Sequence, residues 1–188
     1  MSLVRAEWEN MGERCFLALD LPGNVLDEVM RIQQELERKK LFFGKCTEKE
    51  NIHLTLKFLG EIDEDTLKNV KEKLKKIKIK PFTATLSDVG VFSEQMVRII
   101  WVQLDGVDEL QKQIDLALES LFKPEERFMG HITIARVKHV DNKTALLDAV
   151  KKIKVNQLQF TVERFCLKKS VLTTEKPVYT ILEEYPLR

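Results

Sequence analysis

The sequence predicts one α+β domain folded as two halves related by a pseudo-twofold axis. Each half should carry an antiparallel sheet lining a central groove, with helices on the outer face. Three observations predict it. A short phrase occurs twice, as His53-Leu54-Thr55-Leu56 and as His131-Ile132-Thr133-Ile134. Sliding the chain by the 78 residues between those histidines also superposes Asp63 on Asp141, Thr66 on Thr144, Lys73 on Lys151, Lys76 on Lys154 and Phe82-Thr83 on Phe160-Thr161, without a gap. Finally, strand-period and helix-period segments alternate along the chain, with no Gly-, Ser- or Pro-rich linker to divide it. The competing reading is two unrelated strands that each expose a histidine. Identities spread over the whole window 53–84 favour duplication.

The elements are read in chain order. Cys15 to Leu19 reads as a strand closed by Pro22-Gly23. Residues 24–40 hold Val25, Val29, Ile32 and Leu36 at helical spacing. A loop over 44–51 leads to the first histidine strand, 52–59. Asp63 suits the cap of a second helix, 64–77. Phe82 to Leu86 and Val97 to Leu104 read as strands, with 89–92 undecided between strand and loop. A third helix covers 107–121, and a loop at 123–130 precedes the second histidine strand, 131–137. Asp141 is expected to cap a fourth helix, 142–153. Strands over 157–167 and 177–183 close the chain.

Composition fits such a body. A chain of 188 residues can bury roughly 70% of the surface its unfolded form exposes. Its 31 basic and 30 acidic side chains leave a net charge of +1, so there is no global field for nucleic acid and any RNA contact must be local. Cys15, Cys46 and Cys166 form no CxxC pair and no metal-ligand spacing, which suits a reducing compartment. Residues 1–10 read as a loose N-terminal extension, with Met11 a candidate internal start and 11–188 the domain. They lack the apolar run of a signal peptide. No stretch approaches the ~20 apolar residues of a membrane span. A cytoplasmic monomer is the expectation.

The paired phrase carries the chemistry. In a strand, residues i and i+2 share a face, so His53 with Thr55, and His131 with Thr133, point one way while Leu54, Leu56, Ile132 and Ile134 point into a core. Imidazoles titrate near neutrality and serve as general acid or base. Hydroxyls can donate to an oxygen on which negative charge develops. Neither phrase supplies a third ligand or an acidic cluster for a metal. There is no Gly-rich phosphate loop, so neither metal nor cofactor is expected. Lys57-Phe58-Leu59-Gly60 superficially matches the KxxG of ATP-dependent ligases but lies inside the histidine strand.

Together, Arg14-Cys15-Phe16-Leu17-Ala18-Leu19, the run HLTLKFLGE at 53–61 and HITIAR at 131–136 resemble the 2H phosphoesterase superfamily. Within it they look like the RNA 2′,3′-cyclic phosphodiesterase branch, also called bacterial and archaeal 2′-5′ RNA ligase. The resemblance spans about residues 12–185. It implies metal-independent hydrolysis of a 2′,3′-cyclic phosphate, on RNA ends or nucleotides, to a 2′-phosphate. His53 would be the proton donor and His131 the acceptor. Run backwards on a 5′-hydroxyl, the same site would make a 2′-5′ linkage without ATP. The resemblance also makes Arg136 a phosphate contact, although its odd spacing from His131 demands a bulge or a strand end there. Gly130 stands where members often have proline.

Further binding residues come from spacing. Lys57, four past His53, shares its face if the strand is regular and can meet phosphate; the alternative is a solvated lysine at the strand end. Phe16 and Phe128 are candidates for base stacking, against an ordinary core role. The basic run 71–80 reads as a solvated helix face, and His139 as surface. The alternative functions are a non-catalytic nucleotide- or RNA-binding module of the same fold, or a phosphodiesterase for another cyclic or 2′-5′-linked nucleotide.

Overall fold

The computed structural model describes residues 12–174 and 176–188, and in it every strand joins one antiparallel sheet. In chain order the elements are β1 (Glu13–Leu19), α1 (Gly23–Lys39), β2 (Phe43–Cys46), a 3₁₀ turn (Lys49–Asn51), β3 (Leu54–Ile62), α2 (Glu64–Leu74), β4 (Phe82–Val91), β5 (Ile99–Asp105), α3 (Asp108–Leu118), β6 (His131–His139), α4 (Lys143–Lys152), β7 (Gln159–Val162), β8 (Arg164–Leu172) and β9 (Pro177–Pro186). The expected extension 1–10, and Met11, lie outside the described residues. Among the described residues no helix is long and apolar enough to cross a membrane.

The sheet order is β7-β4-β5-β6-β3-β1-β8-β9, with β2 on β6. Its two lobes meet where β3 and β6 touch at a single pair, Leu54 opposite Ile132. Those residues are equivalent under the 78-residue shift. An antiparallel pair in which equivalent residues face each other is what a local twofold axis requires, so the axis runs between Leu54 and Ile132.

The halves interleave rather than standing as separate segments. β4, from the first repeat, pairs with β5, while β8 and β9 return from the end of the chain to extend β1. The β4–β5 connection spans only residues 92–98, and a short loop closes at less entropic cost than a return across the molecule. The pattern 157–167 divides at Glu163 into β7 and β8, which serve opposite lobes. β2, within the stretch expected to be a loop, is a short edge strand paired to β6.

Helices form where apolar residues recur at helical spacing. α1 buries Val25, Val29, Ile32 and Leu36. α2 is capped by Asp63, whose carboxylate accepts from the Thr66 amide at 2.8 Å. α4 is capped by Asn142, accepting from the Ala145 amide at 3.0 Å, and not by Asp141, whose carboxylate meets His139 instead. These apolar faces and the inner face of the sheet form one core that includes Leu17, Leu54, Leu56, Ile132 and Ile134. The opposite sheet face carries His53 and His131.

Candidate active site

Alternation does what the sequence requires of it at the start of each histidine strand. Ile132 and Ile134 are fully buried, as are Leu54 and Leu56, while His131, Thr133, His53 and Thr55 are half-buried on the other face. All four line one cleft of about 690 Å³. Gly130 sets the approach to His131. Its carbonyl accepts from the Leu104 amide at 2.9 Å, and a Cβ there would stand 2.3 Å from the Leu104 carbonyl oxygen.

Both imidazoles are held the same way. The Nδ1 of His53 lies 2.7 Å from the Asn51 carbonyl, and that of His131 lies 2.8 Å from the Met129 carbonyl. A carbonyl only accepts, so each Nδ1 carries the proton and each Nε2 is left for the cleft. The Thr55 hydroxyl donates to Nε2 of neutral His53 at 3.0 Å. Aromatic rings fix the imidazole planes. Phe16 and Tyr179 lie 5.1 and 5.2 Å from the His53 ring, and Phe92 stands edge-on to His131 at 4.8 Å.

Burial pulls the His53 pKa down to about 4, helped by the nearby Lys168 and Arg136 cations and opposed by the Asn51 carbonyl and Asp20. The fold therefore favours the neutral ring, whereas an unfolded histidine protonates near 6.5. Stability from this group is complete above about pH 6.5 and is lost as the pH falls toward 4, because the unfolded chain binds the proton first. Proton NMR of the His53 ring in the free protein should show a midpoint near 4. Adding inorganic phosphate should raise it, since an anion beside Nε2 favours the charged form. A midpoint at 6.5 that phosphate leaves unmoved contradicts this environment.

Past the threonines the alternation breaks, identically in both strands. Ala18 pairs with Thr55 but Leu17 with Lys57, leaving Leu56 as an extra residue. Trp101 pairs with Thr133 but Ile100 with Ala135, leaving Ile134 as the extra one. Each is a β-bulge, which reverses the facing of the residues beyond it. The bulge brings Arg136 into the cleft, as its phosphate assignment demanded. Its counterpart turns Lys57 away. Lys57 is 2% exposed on the helix side, bonded to Asp115 at 2.5 Å and to the Lys123 carbonyl at 2.7 Å. The expectation that Lys57 meets phosphate is thus corrected. The next residue, Phe58, lines the cleft in its place and is 65% exposed.

The two aromatic candidates also move. Phe16 belongs to the cleft wall but is buried, packed under His53, Phe58 and Tyr179, so it supports the imidazole rather than offering a free face. Phe128 is absent from the cleft and lines a shallow depression beside α3 with Gln111 and Pro124, because the loop passes behind the sheet before Gly130. Sequence reasoning missed Tyr179 and Phe58. The repeat held a signal for Phe58, which the 78-residue shift places on Arg136. Nothing local marks Tyr179. Among the described residues no three His, Cys, Asp or Glu side chains gather as a metal-holding cluster.

With this geometry in view, the comparisons with known proteins are specific. The family model described as LigT like Phosphoesterase matches residues 19–101 and 103–179. A Methanocaldococcus jannaschii protein named RNA 2′,3′-cyclic phosphodiesterase is 37% identical over 177 residues, covering 92% of this chain and 99% of that one. A Methanothermobacter thermautotrophicus protein of the same name is 31% identical over 94% of this chain and 100% of its own length. Among solved structures, one from Thermus thermophilus superposes with a TM-score of 0.79 at 27% identity, covering 93% of this chain and 98% of that one. Apo LigT from E. coli superposes at 0.75 with 23% identity over 94% and 98% of the two chains, which speaks to the fold.

Proposed function

The chain belongs to the LigT-like phosphoesterase family, and from that premise we propose that it hydrolyses the 2′,3′-cyclic phosphate of RNA ends or nucleotides to a 2′-phosphate. The relatives named RNA 2′,3′-cyclic phosphodiesterase support the substrate. One observation carries the mechanism: the twofold axis at Leu54 and Ile132 turns two imidazoles, each held through Nδ1 by a backbone carbonyl, into the same cleft.

Phosphorus sits between the two rings. Nε2 of His131 takes a proton from water as the water oxygen bonds to phosphorus. The bond from phosphorus to the ribose 3′-oxygen breaks on the opposite side, and His53 protonates that oxygen, leaving a 2′-phosphate and a 3′-hydroxyl. Thr55 and Thr133 donate to the non-bridging oxygens as charge builds, and Arg136 contacts the same anion. His53 is neutral in the free protein, so the substrate's own negative charge raises its pKa for the acid role. A 5′-hydroxyl in place of water gives a 2′-5′ linkage at the expense of the strained ring. The three free cysteines, two of them buried, support a reducing, cytoplasmic setting, and the protein works as a monomer in this reading.

The test is product analysis on an RNA ending in a 2′,3′-cyclic phosphate. Both proton transfers belong to side chains, so turnover should persist in excess EDTA and without ATP, and the product should be a 2′-phosphate. Loss of activity on chelation with recovery on adding a divalent ion rejects the mechanism. Turnover only of other cyclic or 2′-5′-linked nucleotides replaces the substrate. Binding without turnover leaves a nucleotide-binding module.

A further inference from the structure

We propose that Gln33 on α1, and the Lys57–Asp115 pair joining β3 to α3, are positioning elements that lock the two β-bulges, each bulge being held by the helix of the opposite repeat. The proposal rests on the reading above, in which Arg136 contacts the substrate's anion; Phe58 lines the same cleft.

A bulge interrupts the ladder and leaves backbone groups that must find other partners. At the β6 bulge, the Ile134 carbonyl accepts from Nε2 of Gln33 at 2.7 Å and from the Thr47 amide at 2.9 Å. The same Gln33 amide donates to the Thr47 carbonyl at 2.9 Å, and the Thr47 hydroxyl donates to the Thr133 carbonyl at 2.8 Å. Gln33 is 2% exposed, on a helix that also buries Val29, Ile32 and Leu36. A buried amide among such residues is costly unless bonded. Its position is explained by what it clamps: the carbonyl of the one extra residue that turns Arg136 into the cleft.

The other lobe repeats the arrangement with different chemistry. Gln111 and Asp115 on α3 are the 78-residue counterparts of Gln33 and Glu37 on α1. Gln111 donates to Asp115 at 2.6 Å. Asp115 accepts from Lys57, the residue just after the extra Leu56, and from the Glu125 amide at 2.8 Å. Here the bulge throws a side chain backwards, and that side chain is held. α1 of the first repeat braces β6, and α3 of the second braces β3. The bracing therefore ties the two catalytic strands to each other across the axis, where the sheet itself offers only the Leu54–Ile132 pair.

The experiment is a pair of double-mutant cycles on a 2′,3′-cyclic mononucleotide, with inhibition by inorganic phosphate as a readout independent of turnover. Arg136→Ala should cost about 10- to 150-fold in kcat/KM, the range for a bond to a charged group. Gln33→Met keeps length and loses both donors, and should cost about 5- to 20-fold. If Gln33 acts through the bulge, most of its effect vanishes in the Arg136→Ala background, on activity and on phosphate affinity alike. In the Phe58→Ala background, on the other strand, the two losses should multiply. Losses that multiply with Arg136→Ala as well mark a merely structural residue and overturn the proposal. Should Gln33→Met fail to fold, Lys57→Met in wild-type and Phe58→Ala backgrounds decides by the same criterion. A wild-type protein inactive on the cyclic phosphate sinks the functional reading itself, whereas an active one with multiplicative losses sinks only the brace.

Discussion

Alanine at His131 or at His53 should each lower turnover of a 2′,3′-cyclic phosphate by about 10²–10⁴-fold, the span of a lost general acid or base. In the proposed mechanism the two rings act on opposite sides of phosphorus in different roles, so neither can cover for the other. The double variant should be little worse than either single one, because groups acting as a unit do not add. Wild-type rates should be bell-shaped in pH, with limbs that belong to the coupled pair. Either alanine variant should lose the bell shape. Thr55→Ala or Thr133→Ala removes one donor and should cost less, about 10- to 1000-fold. Circular dichroism guards the comparison at His53, whose ring fills space beside Phe16 and Tyr179. A folded histidine variant with nearly full activity takes that residue out of the mechanism and leaves the duplication as architecture alone.

Much of this was legible in the chain because a strand's period is simple and the repeat doubles its evidence. Two matching phrases identified the histidines and threonines, their shared face and the axis between them. Helix spacing in Val25, Val29, Ile32 and Leu36 identified α1. A period-2 reading holds only until the pairing slips, and both strands slip one residue after the threonine. That slip put Lys57 on the wrong side of the sheet. It put Arg136 on the right side, where only the family likeness had placed it against parity. β2 escaped notice because Phe43-Gly44-Lys45-Cys46 has neither alternation nor β-branched residues, and it is a strand only because β6 offers an edge. Phe128 stands three residues before His131 in sequence, yet the turn at Gly130 separates them in space. Tyr179 reaches the cleft from β9, through a pairing with β8 that no local pattern announces.

The correction at Lys57 yields a large effect on stability. Lys57→Met should lower Tm by about 6–12 °C, a destabilisation of about 3 kcal/mol at 2–4 °C per kcal/mol for a domain of this size. The side chains of Lys57 and Asp115 are 2% and 11% exposed. Removing the cation leaves a mostly buried carboxylate, at the edge of the depression between α3 and the loop at 123–125, without its counter-charge. The figure stays at the low end of the range for a broken buried pair because Gln111 and the Glu125 amide still donate to Asp115. Burial opposes the charge on Asp115, and the bonds from Lys57, Glu125 and Gln111 outweigh it, so its pKa lies below the ordinary value. A lowered carboxylate stabilises the fold above its unfolded pKa, near 3.9, and that stabilisation is lost as the pH falls through the lower, folded value. The Tm gap between wild type and Lys57→Met should therefore be full at pH 7 and narrow below about pH 4. A lysine contacting phosphate from the cleft differs in stability: its loss leaves Tm within about 1 °C, the expectation for an exposed side chain, while raising KM. Thermal melts at pH 7 and pH 3.5, beside a KM measurement, separate the two, and an unchanged Tm with a raised KM would return Lys57 to the substrate.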